Sequence, residues 1–200
     1  MTHNLDRESH LVVMQMLVRV LETDKRIEIA RKTLASNAFF EPYDIFKVLD
    51  SDRKFYITEA NIQSFVKKIY PEIRKQSISY VFNILSKGSD RIDFDGLASQ
   101  ILPKDYGKSY KNIYYLNKQS IDINPELSMD IIIDFANLIK CIHDEHMLAD
   151  RTVFAVQAAE ISGSDAYNDL APNDNNKGFI SSEDLVDILK QYFHYVGSVI

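Results

Sequence analysis

Residues 49–61 read "LDSDRKFYITEAN" and join two segments whose apolar residues recur at helical spacing. Asp50 and Asp52 alternate at the start of this stretch, an arrangement that can present oxygen ligands to a hard cation. Lys54 and Phe55 follow, and neither an ammonium group nor a bulky ring suits such a site. The stretch therefore has the outline of a cation-binding loop but lacks part of its chemistry.

The segments on both sides of this loop are predicted helices. Pro42 suits a first helical turn, and Thr58 can cap the helix that follows the loop. Two further helices follow, and Pro103 ends the last of them. The apolar residues of the four segments are Ile45, Phe46 and Leu49; Ile62, Phe65, Val66 and Ile69; Ile78, Val81, Phe82 and Leu85; and Phe94, Leu97, Ala98 and Ile101.

Two longer helices are predicted as well. Residues 9–35 carry one apolar stripe, which Asp24 and Arg31 interrupt. Asn124 and Pro125 suit the cap and first turn of a second long helix, whose stripe continues to Val156. With only 6 Gly and 5 Pro among 200 residues, the composition favours helices over a turn-rich β fold. We therefore predict an all-α protein.

An internal repeat relates the two halves of the chain. The segment "ITEANIQSFVKKIY" (residues 57–70) aligns without gaps to "ISSEDLVDILKQYF" (residues 180–193), and a long amphipathic helix precedes each copy. We predict a first lobe at residues 1–102, a linker at residues 103–124 and a second lobe at residues 125–200.

These repeated units resemble the EF-hand superfamily, that of calmodulin and its relatives. The resemblance implies a pair of helix–loop–helix units with loops at residues 50–61 and 85–96, and a third unit with its loop at residues 173–184. In the first loop, Asp50, Asp52, Lys54, Thr58 and Asn61 occupy ligand positions. Lys54 repels a cation and Asn61 cannot give a bidentate carboxylate, so this loop is predicted not to bind metal.

The second loop lacks almost every ligand, because Leu85, Lys87, Ser89 and Gly96 occupy its ligand positions. Ile57 and Ile92 occupy the same position in the two loops. The resemblance therefore implies a short antiparallel β-bridge between them, which holds the pair together without metal.

The third loop retains a glycine, Gly178, where the turn needs one. We expect no resident cofactor, and binding of Ca²⁺ or Mg²⁺ at this loop is the alternative. No partner unit follows this loop in the sequence. We therefore expect another chain, the carboxyl-terminal tail or the linker to cover it. The residues that would hold a metal are Asn173, Asn175, Lys177, Phe179, Ser181 and Asp184.

Other function classes find no support. A net charge of −6 argues against nucleic-acid binding, and the single cysteine, Cys141, excludes an internal disulfide. His143 and His146 lack further zinc ligands, so we interpret them as a polar face. The most apolar early run, at residues 11–20, is too short to span a bilayer. We predict a protein that is not an enzyme, in the cytoplasm or on the cytoskeleton.

The linker is rich in tyrosine and lysine and has two interpretations. It is either a flexible tether or a docking strand for an acidic surface, such as that of a cytoskeletal polymer. Its candidate partner-binding residues are Tyr106, Lys108, Tyr110, Lys111, Tyr114 and Tyr115.

The favoured function is a non-catalytic structural or adaptor subunit of a larger protein assembly, largely independent of calcium. The order of long helix, degenerate loop and following helix is similar to that of EF-hand proteins in protist cilia and flagella. That likeness suggests a ciliary or axonemal location. A calcium sensor acting through residues 173–184 is the alternative.

Overall fold

The computed structural model describes residues 5–106, 128–170, 180, 185–190 and 192. This part of the chain is mostly helical, which confirms the all-α prediction at that level. The predicted helix start at Asn124 and Pro125 lies outside the described residues. The helices are α1 (Arg7–Ser36), α2 (Pro42–Leu49), α3 (Glu59–Ile69), α4 (Lys75–Ser86), α5 (Phe94–Ile101), a 3₁₀ turn (Lys104–Tyr106), α6 (Met129–Ala158) and α7 (Gly163–Leu170).

The chain divides into two compact units. The larger unit is Thr23–Met147, and the smaller combines Met1–Glu22 with Leu148–Ile200. This division differs from the predicted lobes at residues 1–102 and 125–200. The reason is that α1 and α6 are each about 30 residues long and contribute one end to each unit.

The core of the larger unit is built on the four short helices. Helix α3 packs on α4, and α2 packs on α5. Between α2 and α5 the rings of Phe46 and Phe94 meet edge to face, with their centroids 5.9 Å apart. Ile57 and Ile92, from the two loops, are fully buried beneath these helices.

Both long helices contribute to the same core. Helix α6 buries Phe135, whose ring lies 5.3 Å from that of Phe65 on α3. Further along α6, His146 stacks on Tyr80 of α4 at 4.5 Å, so it is a packing residue rather than part of a solvated face. Helix α1 adds Ile27 and Leu34. Part of each predicted apolar stripe therefore packs within the chain, whereas Val20 of the α1 stripe is 51% exposed and Ala149 of the α6 stripe is exposed as well.

The polar interruption of the α1 stripe at Arg31 has a structural role. Arg31 is only 8% exposed, and its Nε donates a hydrogen bond to the carbonyl oxygen of Gln100 at 2.7 Å. That carbonyl belongs to the last turn of α5, where helices leave acceptors unpaired. Nearby, Lys104 Nζ lies 2.8 Å from an oxygen of Asp24. Arg31 and Asp24, the two polar residues that interrupt the α1 stripe, thus bind the end of α5 and the turn that follows it.

The smaller unit has its own cluster of apolar side chains. Val13 and Met14 of α1 and Leu170 of α7 are buried, and Ile188 and Leu189 pack against them. Residues 185–190 are helical. The helix after the third loop is therefore covered by α1 and α7. The expectation that another chain, the tail or the linker also covers this unit stays a prediction, because residues 107–127 and 193–200 lie outside the described part of the chain.

No helix in the described ranges combines the length and the apolar character that crossing a membrane requires.

Replacement of Phe135 by alanine should destabilise the larger unit by about 3–5 kcal/mol, because a fully buried ring leaves a cavity in the core. The matched control is Phe154→Ala on the same helix, at a ring that is 73% exposed. That variant should change the free energy of unfolding by less than about 0.5 kcal/mol. Urea denaturation followed by circular dichroism measures both. Equal effects of the two substitutions would contradict the described packing of α6.

Candidate functional site

Asp50, the first candidate ligand, is used to fold its own loop. It follows the last residue of α2 and is only 6% exposed. Its Oδ1 accepts a hydrogen bond from the backbone N–H of Lys54 at 2.9 Å, and its Oδ2 accepts one from the N–H of Phe55 at 2.8 Å. Both carboxylate oxygens therefore point into the loop and have donors there.

Asp52, the second candidate ligand, is bound by Lys54 and Asn61, which also occupy predicted ligand positions. Its Oδ2 lies 2.7 Å from Nζ of Lys54, and its Oδ1 accepts a hydrogen bond from Nδ2 of Asn61 at 2.8 Å. The hydrogen bond from Lys54, followed by that from Asn61, lowers the pKa of Asp52 to about 2. The same contact raises the pKa of Lys54. The carboxylate is thus held ionised by a cation of the chain itself.

Thr58 and Asn61 close the loop as the cap of α3. The amide oxygen of Asn61 accepts hydrogen bonds from the backbone N–H of Thr58 at 2.9 Å and from its hydroxyl at 2.6 Å. The backbone N–H of Asn61 points to the Thr58 hydroxyl at 3.4 Å. This is a capping box in which Asn61 takes the place of the usual Glu or Gln. The polar residue at the end of the loop is therefore used to begin a helix.

Two residues of the first loop have left-handed backbone conformations. Arg53 has φ of 57° and Phe55 has φ of 66°. A side chain as large as that of Phe55 disfavours this conformation. The structure nevertheless retains the turn at Phe55, because Asp50 binds the adjacent N–H groups. The ring of Phe55 is left 79% exposed.

The second loop contains packing and capping residues in place of ligands. Leu85, at its first ligand position, is fully buried. Asp93 caps α5 by accepting a hydrogen bond from the N–H of Gly96 at 2.7 Å. A Cβ atom on Gly96 would lie only 2.9 Å from that Asp93 oxygen, so glycine allows the close approach. The Asp93 and Gly96 positions correspond to those of Thr58 and Asn61 in the first loop.

Backbone pairing joins the two loops. The N–H of Ile57 donates to the carbonyl oxygen of Ile92 at 2.8 Å, and the reverse bond measures 2.9 Å. Next to this pair, the guanidinium carbon of Arg91 lies 5.8 Å from the ring centroid of Tyr56. Sequence reasoning missed this contact. The available signal was that Tyr56 and Arg91 each directly precede one of the bridging isoleucines.

Most of the other predicted site residues lie outside the described part of the chain. These are Asn173, Asn175, Lys177, Phe179, Ser181 and Asp184 of the third loop, and Lys108, Tyr110, Lys111, Tyr114 and Tyr115 of the linker. Tyr106 belongs to the 3₁₀ turn that follows α5. Ile180 packs against the core of the smaller unit.

The histidines and the cysteine of α6 have separate surroundings. Nδ1 of His143 lies 3.2 Å from a carboxylate oxygen of its neighbour Asp144, whereas His146 packs on Tyr80. Cys141 is half-buried, and this burial raises the pKa of its thiol. Within the residues that the structure describes, no three His, Cys, Asp or Glu side chains are grouped so that they could hold a metal ion.

Comparison of the chain with protein-family models, with curated proteins and with solved structures finds no significant match in any of the three.

Replacement of Lys54 by methionine should raise the pKa of Asp52 from about 2 towards its ordinary value of 3.8, because Lys54 provides the largest stabilisation of the carboxylate. Asn61→Ala should raise it less. In the natural chain, the stabilising effect of Asp52 is fully present above pH 3.8 and is lost as the pH falls towards 2. Carboxyl carbon NMR titration of the three proteins measures these values. An unchanged Asp52 pKa in the Lys54 variant would contradict the ion pair.

Proposed function

We propose that this protein is a non-catalytic, EF-hand-like structural or adaptor subunit whose first pair of units folds without calcium. One observation carries the proposal: the oxygens of Asp50, Asp52 and Asn61 all accept hydrogen bonds from within the loop. Calcium needs six to eight oxygen ligands. A cation entering this loop would have to displace these donors, including the ammonium group of Lys54.

The position of Lys54 explains how such a loop closes in the absence of metal. Its ammonium group neutralises Asp52, while Asn61 links the same carboxylate to the start of α3. A calcium ion would otherwise join the beginning and end of a loop in this way. Forming this ion pair costs little desolvation free energy, because the side chains of Lys54 and Asp52 are both about half-exposed and keep much of their hydration.

The packing of the larger unit supports a structural role over that of a sensor. Sensor proteins respond to calcium by exposing an apolar groove for a target helix. Here the apolar faces of the short helices are covered by α1 and α6 of the same chain. Phe135, Leu138 and Ile142 of α6 are all buried at this contact. In a sensor the covering helix comes from a target protein, whereas here α1 and α6 belong to the same chain.

The adaptor part of the proposal concerns other protein chains as partners. An exposed aromatic side chain, Phe154, remains on the surface of the described residues. Side chains of this type are enriched where proteins contact each other. The placement in a cytoskeletal or ciliary assembly rests on the sequence resemblance alone.

Titration with Ca²⁺ and with Mg²⁺ by calorimetry tests the metal-independent part. The natural chain should show no binding at cation concentrations up to about 1 mM, which is the range of weak EF-hand sites. The matched control combines Lys54→Asp, Phe55→Gly and Asn61→Glu, which restores two carboxylates and the glycine. That variant should bind Ca²⁺. Micromolar binding by the natural chain that is abolished in Asp184→Ala would instead establish a sensor acting through the third loop.

Gel filtration of native cell extract tests the adaptor part. The protein should elute in an assembly far larger than its own mass of 23.1 kDa, both with EDTA and with added Ca²⁺. Purified recombinant chain under the same conditions provides the reference elution volume. Elution of the native protein as a free monomer, or an assembly that forms only with Ca²⁺, would contradict the proposal.

A further inference from the structure

We give the name loop face to the exposed residues of the two paired loops, which are residues 51–55 and 87–91. The backbone bonds between Ile57 and Ile92 hold the two tips next to each other. The contact of Arg91 with Tyr56, which follows Phe55 directly, connects them further.

Phe55 is the unusual residue of this face. Its ring is 79% exposed, and its backbone has φ of 66°, a conformation that a bulky residue adopts only at a cost. Glycine would relieve that cost and would remove an exposed apolar ring. Because the ring is so exposed, its packing against the described residues offsets little of this cost. Retained backbone strain together with an exposed aromatic ring is the pattern of a contact residue.

The charge of the loop face is opposite to that of the whole chain. The protein has a net charge of −6, yet this face carries four cations, Arg53, Lys54, Lys87 and Arg91, against two carboxylates, Asp52 and Asp90. Lys54 is engaged with Asp52, and Arg91 lies 4.0 Å from Asp90.

Arg53 and Lys87 have no ion pair among the residues that the structure describes, and both are exposed. Metal-binding loops concentrate negative charge at this place. The degenerate loops have therefore become an attractive surface for negative charge instead.

We propose that the loop face binds an acidic protein segment, whose carboxylates meet Arg53 and Lys87 and whose apolar side chain packs on Phe55. This inference rests on the proposed adaptor function and names the chemistry of one partner. Two unpaired cations are too few for an anionic membrane surface, which typically attracts four to eight, or for a nucleic-acid backbone. A single aromatic ring between cations is typical of a protein contact with a central apolar anchor.

Selection of short random peptides displayed on phage, with the full-length protein as bait, tests this inference. Enriched peptides should be rich in Asp and Glu and should carry an apolar residue. The most enriched peptide is then synthesised, and its dissociation constant is measured by calorimetry in EDTA. Its affinity should fall as NaCl is raised, because the exposed charges that attract it are screened.

Matched variants locate the binding surface. Arg53→Glu combined with Lys87→Glu should weaken binding by about tenfold or more, an effect expected for residues near the centre of a contact. The control is Lys67→Glu combined with Lys68→Glu, which makes the same change in charge at the other end of α3. That control should bind the peptide as the natural chain does.

Phe55→Gly separates binding from stability. The substitution should weaken peptide binding by about tenfold, yet leave the melting temperature equal or higher, because glycine accepts the left-handed backbone. The control is Phe39→Ala, at a ring that is 82% exposed and lies between α1 and α2. It should change neither property. A purely structural role of Phe55 would instead lower the melting temperature of the glycine variant and leave peptide binding unchanged.

Other outcomes would overturn the proposal. These are the absence of any enriched peptide, enrichment of peptides without acidic residues, and binding that survives the Arg53 and Lys87 substitutions. Sedimentation with phosphatidylserine vesicles that depends on these two residues, without peptide binding, would assign the face to lipid. None of these results bears on calcium independence. Failure of the adaptor function would appear separately, as elution of the native protein as a free monomer in gel filtration.

Discussion

The two backbone hydrogen bonds between Ile57 and Ile92 are the constraint on which the larger unit depends. Each isoleucine is fully buried, and each precedes the capping residue of a helix, Thr58 or Asp93. The pairing therefore sets where α3 and α5 begin relative to each other. It also places the two preceding loops next to each other. The aromatic contacts between α2 and α5 and the packing of α3 on α4 follow from this arrangement.

Each of the two bridged loops is closed by side chains of its own. The first loop is closed by polar side chains: Asp50 binds two N–H groups, and Asp52 accepts from Lys54 and Asn61. The second loop is closed by burial of Leu85 and by the Asp93 cap on Gly96. In both loops, the groups that form these contacts belong to the chain itself. The exposed residues of the two loops include cations and the aromatic ring of Phe55.

Much of the helical architecture could be predicted, because it depends on local spacing. The helix predicted at residues 9–35 is found at Arg7–Ser36, and the stripe at Ile131, Phe135, Leu138 and Ile142 is buried. Contacts between distant residues could not be predicted in this way. Arg31 interrupts a stripe when seen in sequence, but in the fold it reaches the end of α5, 69 residues away. His146 was interpreted as polar surface, yet it stacks on Tyr80.

The sequence by itself determined the helical class, the internal repeat and the presence of a lysine among the carboxylates of the first loop. A period of apolar residues and the order of charges in a loop are properties of the chain that folding does not change. Only the tertiary structure decided how the remaining polar groups are used and which helices cover which core. In "LDSDRKFYITEAN", the composition showed that Lys54 opposes a metal ion. The folded loop showed that the same ammonium group neutralises Asp52, because the turn at Arg53 and Phe55 brings the two side chains within 2.7 Å.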